Sequence, residues 1–394
     1  MAKLVVLFIT AFVDMVGFAL VLPLLPYYAK EYGATALLVG VLVSSFSVAQ
    51  LAMAPLWGRA SDRYGRRPMI IAGLALSAVA YAVFAFAGSV WLLLLSRVVQ
   101  GMGGGTIGVV QAYVADATPP DQRTRSLGWL SAVTSLGAVV GPAFGSILDQ
   151  AGGQRAPGLA AAALATLIAV FAWRFLRESR EMRPPGAIRA ASRTGAVALR
   201  RVLSHPREPA SRLIWIYAIA IGAFYGTGPT MPLLLSARLG VTEHTVGYFF
   251  MYFGAMGVIA RAGLLGWVLG RLGEARLSRL GIGLLAAGLC LLSVARSYPV
   301  LMASMTLMPL GTAFLFPCVT GLLSQVVPGT DRGLYMGVQQ TFGGVSRVAF
   351  PVAAGYAMDQ FGYGTPFLAA AVMVLITLPL TSAMAGYAAA QCET

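Results

Sequence analysis

Charge is what this chain has least of. Only 11% of its 394 residues are charged against 58% hydrophobic, and the mean hydropathy is +0.77. A water-soluble domain of this size carries roughly a quarter charged residues, so that class is excluded. Histidine and cysteine are scarce too: His205 and His244, and Cys290, Cys318 and Cys392, lie far apart in sequence. That spacing suggests neither a disulfide framework nor a metal site. No paired carboxylates or clustered Ser, His and Cys form a reactive constellation, so an enzyme and a resident cofactor are not expected. Period-two alternation in ten-residue segments is missing as well, which excludes an outer-membrane barrel.

What is present is a series of apolar runs, each long enough to cross a hydrocarbon core of roughly 30 Å as a helix. Twelve spans are predicted: 4–27, 37–57, 69–88, 90–115, 126–148, 157–176, 213–235, 245–269, 279–296, 298–327, 333–358 and 364–386. The first is read as a retained helix, because no small-residue cleavage site follows it. With both termini in the cytoplasm, 21 of the 28 Lys and Arg fall at cytoplasmic ends or loops. Lys30, Arg155, Arg238 and Arg296 lie outside, and Arg97, Arg261 and Arg347 within spans. This asymmetry sets the orientation. It also accounts for the net charge of +14 through contact with anionic lipid, with no nucleic-acid partner required. Abundant Ala, Gly and Arg suggest a bacterial source, hence the plasma (inner) membrane.

The longest polar segment, 177–212, contains Pro184, Pro185, Pro206 and Pro209 and divides the chain into bundles over 1–176 and 213–394. Within it, 187–203 has the pattern of a basic amphipathic helix on the inner membrane surface. The two halves share spaced residues at an offset of 208 or 209. Gly17 and Pro23 recur as Gly226 and Pro232; Gly58, Arg63 and Gly65 as Gly266, Arg271 and Gly273; Arg123 and Gly128 as Arg332 and Gly337; Pro142 as Pro351. A duplicated six-helix unit explains the order. Such repeats place a site at their interface and open it by rocking, which disfavours a channel.

The loop after the second span reads Gly58-Arg-Ala-Ser-Asp62-Arg63-Tyr-Gly65-Arg66-Arg67-Pro68. It resembles the signature loop of the major facilitator superfamily, and its predicted cytoplasmic side agrees. The resemblance implies an all-α membrane fold of two pseudo-symmetric six-helix bundles. It also implies a latch: Gly58 for close helix approach, Asp62 near the N-terminus of the eleventh helix, and Arg66 paired with Asp116. Simple positive-inside chemistry is the plainer alternative. The fourth span carries Arg97-Val-Val-Gln100-Gly101, similar to the Arg-x-x-Gln-Gly motif of that family. A buried arginine normally faces a partner or cavity, and Asp14, the only acid well inside a predicted span, lies at a matching depth. Asp14-x-x-Gly17 followed by Pro23-Leu-Leu-Pro26 resembles the first helix of drug-proton antiporters, including tetracycline pumps. Either Asp14 and Arg97 couple protons to transport, or they form a structural ion pair.

The fifth span has Gly137, Gly141 and Pro142, Gly145 and Ser146. This is similar to the family's antiporter motif Gly-Pro-x-x-Gly-Gly, from which Ser146 departs, and it implies export. Helix packing alone also explains the glycine stripe. The third and ninth spans lack the acids of the tetracycline-pump group, so a lipophilic neutral or cationic substrate is expected. Candidate substrate contacts are Gln50, Gln111, Tyr225, Tyr252, Phe253, Phe314, Gln339 and Arg347, among further aromatics Phe224, Tyr248, Phe249 and Phe316 and a further glutamine, Gln340. The expected function is proton-coupled efflux by a monomer, energised by the proton gradient. The alternative on the same scaffold is an exporter of a sugar, amino acid or lipid.

Overall fold

In a computed structural model the described residues are 2–119, 122–179, 191–328 and 331–381. Cys392 and the ends of two predicted segments, 187–190 and 382–386, lie outside them. Among the described residues there is helix and no strand, as expected where lipid leaves backbone groups only their own chain to bond.

The helices are α1 (Ala2–Val21), α2 (Leu25–Glu31), α3 (Ala36–Tyr64), α4 (Arg66–Ala85), α5 (Val90–Gly104), α6 (Ile107–Ala117), α7 (Arg123–Gly152) and α8 (Arg155–Phe175). They continue as α9 (Ala191–Ser204), α10 (Pro209–Thr227), α11 (Met231–Leu239), α12 (Glu243–Ile259), α13 (Leu265–Val294), α14 (Tyr298–Val326), α15 (Arg332–Phe361) and α16 (Thr365–Ile376). Local chemistry explains their starts. Thr35 and Ser89 accept from the Leu38 and Leu92 amides as N-caps of α3 and α5. Proline occupies the first turn of α2, α10, α14 and α16, where no amide partner is lost. Large apolar side chains such as Trp91, Leu167 and Ile376 point outward, which a lipid solvent permits.

Eight helices among the described residues are long and apolar enough to cross a membrane, nine if the 44° bent pair α10–α11 is one crossing. The predicted spans 245–269 and 279–296 lie on one long helical run, with Gly273 in the predicted gap between them. Glu243–Val294 runs as one 52-residue helical stretch. At ~1.5 Å per residue it is far longer than one crossing of a ~30 Å core. A π-helical turn at Ala260–Leu264 and a left-handed Gly273 interrupt it. α15 falls outside the eight, and α16 is a shorter apolar helix.

The chain forms two compact units, Met1–Arg183 with Gly240–Gly254, and Pro184–Leu239 with Ala255–Thr394. In the first, α7 packs along α1, α4 along α5 and α8, and α3 along α5. In the second, α13 packs along α14 and α10 along α15. The basic segment forms α9, whose Ala198 and Val202 are buried where it meets α10 and α15, while Val197 and Leu203 are exposed. At its end Arg201 pairs with Glu208 at 2.9 Å, and these hydrogen bonds hold the exposed guanidinium above its ordinary pKa.

The internal repeat is written in the backbone. The described residues with positive φ are Gly33, Gly65, Gly153, Gly240, Gly273 and Gly362. They pair as 33 with 240, 65 with 273 and 153 with 362, offsets of 207, 208 and 209. Each marks a break where L side chains are strained and glycine is not. One side-chain contact repeats too. Arg66 Nε meets Asp116 Oδ2 at 3.0 Å, and at matching positions Gln325 donates to Glu274, also at 3.0 Å.

The stripe on α7 shows what close packing demands. A Cβ at Gly137, Gly141 or Gly145 would lie 2.8, 2.8 and 2.2 Å from the carbonyls of Phe12, Val16 and Leu20 on α1. At Gly128, on the same helix, it would meet nothing within 4 Å. Gly145→Ala is therefore expected to destabilise the protein by about 1–3 kcal/mol through overpacking, and Gly128→Ala to leave it unchanged. Thermal unfolding in detergent checks the pair; equal midpoints would contradict the packing.

Candidate functional site

Arg97 is the largest fully buried side chain, 1% exposed, on α5. Its Nε and Nη2 have no hydrogen-bond partner, and its Cζ stands 5.3 Å over the Phe84 ring of α4. One turn along α5, Gln100 is 2% exposed. Asp14 is partly buried on α1. Among the described residues it forms no ion pair within 4.0 Å, so the two groups do not form the direct pair that their depths suggested. What they share is Tyr81 of α4, an electrostatic neighbour of both, with Gln100 at its hydroxyl. The Tyr81 ring also packs 3.5 Å from the Cβ position of Gly17, one turn beyond Asp14. A side chain at Gly17 would meet that ring in ordinary van der Waals contact.

The α3–α4 loop is a polar knot. Arg66 Nη1 meets Asp62 Oδ1 at 2.9 Å while its Nε holds Asp116. Arg66 Nη1 also donates to Ser61, and Arg63 lies over the Tyr64 ring. Gly65 has φ of 100°, and a Cβ there would strike the Glu178 carboxylate at 2.5 Å. That carboxylate accepts from the backbone amides of Arg66 and Arg67 at 2.9 and 3.1 Å, an anion seated on the α4 N-terminus. Arg67 donates in turn to the Trp173 carbonyl. Gly58 departs from the expected role: a Cβ there meets nothing within 4 Å, so close packing does not require it.

The predicted substrate residues fall in both units. Gln50 donates to the Gly104 carbonyl at 3.1 Å, and Gln111 is exposed. Tyr252 and Phe253 are partly buried and cluster with the first unit. In the second unit Phe314, 5% exposed, packs with Ala260, Leu277, Ala313 and Cys318, so it is a core side chain. Gln339 is fully buried with its Nε2 unpaired. Arg347 lies 5.3 Å over the half-exposed Tyr225 ring, and its Nε has no partner. Beside them Phe224 contacts Tyr225 and Phe316, and Phe316 contacts Tyr217, which accepts from Gln340. Sequence reasoning missed Tyr81, Tyr217 and Glu178, whose roles arise only from contacts distant in sequence. It also took His244 as isolated, whereas the fold sets it 2.9 Å from Asp149.

Comparison with known proteins decides the family. A family model described as Major Facilitator Superfamily matches residues 7–282 and 213–386. The chain belongs to the major facilitator superfamily. It is 28% identical to Multidrug resistance protein 1 of Bacillus subtilis, over 96% of this chain and 95% of that protein. It is 29% identical to the class G tetracycline resistance protein of Vibrio anguillarum, over 93% and 94%. Among solved structures, the human organic anion transporter MFSD10 (TETRAN) superposes with a TM-score of 0.71 at 25% identity, covering 97% of this chain and 99% of that one. The nucleoside transporter NupG superposes with a TM-score of 0.79 at 13% identity, which shows the fold alone. The family is one of membrane transporters, which are not enzymes.

A buried, unsatisfied guanidinium costs stability, so the fold keeps Arg97 against its own interest. Arg97→Met is expected to hold or raise the thermal midpoint while transport is lost. A fall of several degrees in the midpoint would show that the guanidinium is paired and structural.

Proposed function

We propose that this transporter exports lipophilic neutral or cationic small molecules in exchange for protons. One observation carries the reading: a fully buried arginine with two unsatisfied nitrogens shares Tyr81 with the acid Asp14. The carboxylate and the guanidinium are not locked in a direct ion pair, and each acts electrostatically on the same tyrosine. A proton arriving at Asp14 removes one member of that pair. Substrate entering beside Arg97 changes its solvation, so the two events compete. The edge-to-face aromatics of the second unit, with Arg347 over Tyr225, give a surface that accepts flat or cationic molecules by shape-tolerant contacts. Relatives named for multidrug and tetracycline resistance support a drug-type cargo and export. The Gly141-Pro142-x-x-Gly145 segment of α7, which resembles the antiporter motif, supports the same direction. In this reading the protein is a monomer with twelve crossings and cytoplasmic termini, sits in a bacterial plasma membrane, and needs no cofactor beyond the proton gradient. The Arg66 knot then serves as the cytoplasmic latch.

Proteoliposomes with an imposed pH gradient test this directly. Wild type should accumulate lipophilic cations against their gradient. Asp14→Asn should reduce gradient-driven accumulation by about tenfold or more while keeping substrate exchange at zero gradient, since a coupling proton supplies roughly 1.4 kcal/mol per tenfold concentration ratio. Equal gradient-driven rates would remove Asp14 from the mechanism. Uptake of sugars or amino acids in place of cations would favour a metabolite carrier.

A further inference from the structure

The geometry points to a transition-metal site, of the class that suits zinc, formed by Asp149, Glu243 and His244 in the first unit. Asp149 ends α7, and Glu243 and His244 open α12. One donor atom from each lies within 4.8 Å of the others. They line a cavity of about 390 Å³ together with Tyr27, Tyr28 and Gln154.

Asp149 is the observation that asks for a ligand. It is only 3% exposed and lines the cavity. Its Oδ2 lies 2.9 Å from His244 Nδ1, an ion pair that sets two atoms of metal-ligand type side by side. The Glu243 carboxylate converges on the same point. Zinc bound at ~2.0–2.2 Å from each ligand in tetrahedral geometry sets the ligand atoms about 3.3 Å apart. The pair needs to open by only a few tenths of an ångström, with the Glu243 carboxylate turning in.

The surroundings are built to hold that geometry. Tyr28 Oη donates to Asp149 Oδ1 at 2.5 Å, which orients the carboxylate and leaves Oδ2 for the ion. Ser146 Oγ accepts from the Gly247 amide at 2.9 Å and donates to the Glu243 carbonyl at 2.6 Å, pinning the first turn of α12 to α7. Tyr27 Oη donates to the Val241 carbonyl at 3.0 Å, just before that turn. The charged groups at the cavity are Asp149, Glu243 and Glu31 against Lys30, an excess of negative charge that draws a cation. One imidazole and two carboxylates suit zinc, copper or nickel, whereas calcium takes six or more oxygens. Three protein ligands leave the fourth position open to the cavity. A bound ion ties the end of α7 to the start of α12.

The test uses the full-length protein in detergent, stripped with chelator and titrated with zinc, with calcium and magnesium in parallel. Wild type should bind one zinc per chain, raise its thermal midpoint with zinc, and show a zinc-edge absorption spectrum with nitrogen and oxygen ligands and no sulfur. His244→Gln, at a partly exposed position that folding should tolerate, should abolish both the binding and the shift. Glu243→Gln should weaken binding, and Tyr28→Phe should weaken it by about tenfold or more as the loss of a ligand-orienting contact. Zinc bound equally by wild type and His244→Gln, sulfur in the ligand shell, or no binding by wild type at micromolar zinc would each overturn the site. A response to calcium as large as to zinc would do the same.

Discussion

The backbone contact of α7 with α1 is the constraint on which the first unit depends. In lipid there is no hydrophobic drive between helices, so association rests on close packing. The Gly137, Gly141 and Gly145 face removes the side chains that would hold the helices apart and seats α7 on the carbonyls of Phe12, Val16 and Leu20. Asp14 lies between those carbonyls in sequence, so its place in the first unit is set by this stripe. The adjacent face of α7, one residue on, carries Pro142, Ser146 and Asp149. It receives Gly247 and His244 of α12. One helix therefore positions both the acid on α1 and the polar cluster at its own end.

The backbone repeat is close, but the chemistry laid on it is not. Positive-φ glycines recur at nearly constant offset, and the contact of Arg66 with Asp116 recurs as Glu274 with Gln325. The positions that match Asp14 and Arg97 at offsets near 208 and 209 carry Gly222 or Ala223 and Met305 or Thr306. The ionisable pair thus belongs to the first half alone. The second half carries Tyr217, Phe224, Tyr225 and Phe316 in edge-to-face contact. Duplication explains the helices and their breaks; divergence gave one copy the charges and the other the aromatic surface.

Much of this was legible before any fold was known, because it depends on local rules. Apolar runs, the cytoplasmic bias of Arg, the glycine turns and the loop motif are all read within short windows of sequence. The family resemblance placed Arg66 opposite Asp116. What was not legible depends on contacts across the chain. Glu178 sits on the α4 N-terminus from 112 residues away. Tyr28 reaches Asp149 from 121 residues away. Tyr81 looks like any membrane tyrosine until the fold sets Asp14, Arg97 and Gln100 around it. Gly58 and Phe314 show the opposite error: a motif position and an aromatic invite a role, yet one has open space around it and the other fills a core. The break between the eighth and ninth predicted spans was legible too, since the gap at 270–278 contains Gly273, where the backbone leaves the helix.

Ser146 shows how a departure from a motif can be informative. The antiporter pattern that the fifth helix resembles has glycine there, which reads as a demand for smallness. In this chain the demand has moved across the contact. A Cβ on Gly247 would lie 2.0 Å from the Pro142 carbonyl and 2.7 Å from Ser146 Oγ, so the facing helix must carry the glycine. With that space open, the Ser146 side chain fits, fully buried, and inserts its hydroxyl into the first turn of α12, accepting from Gly247 and donating to Glu243. A smooth surface would let the two helices slide. A hydroxyl bonded on both sides fixes their register, and with it the approach of Glu243 and His244 to Asp149.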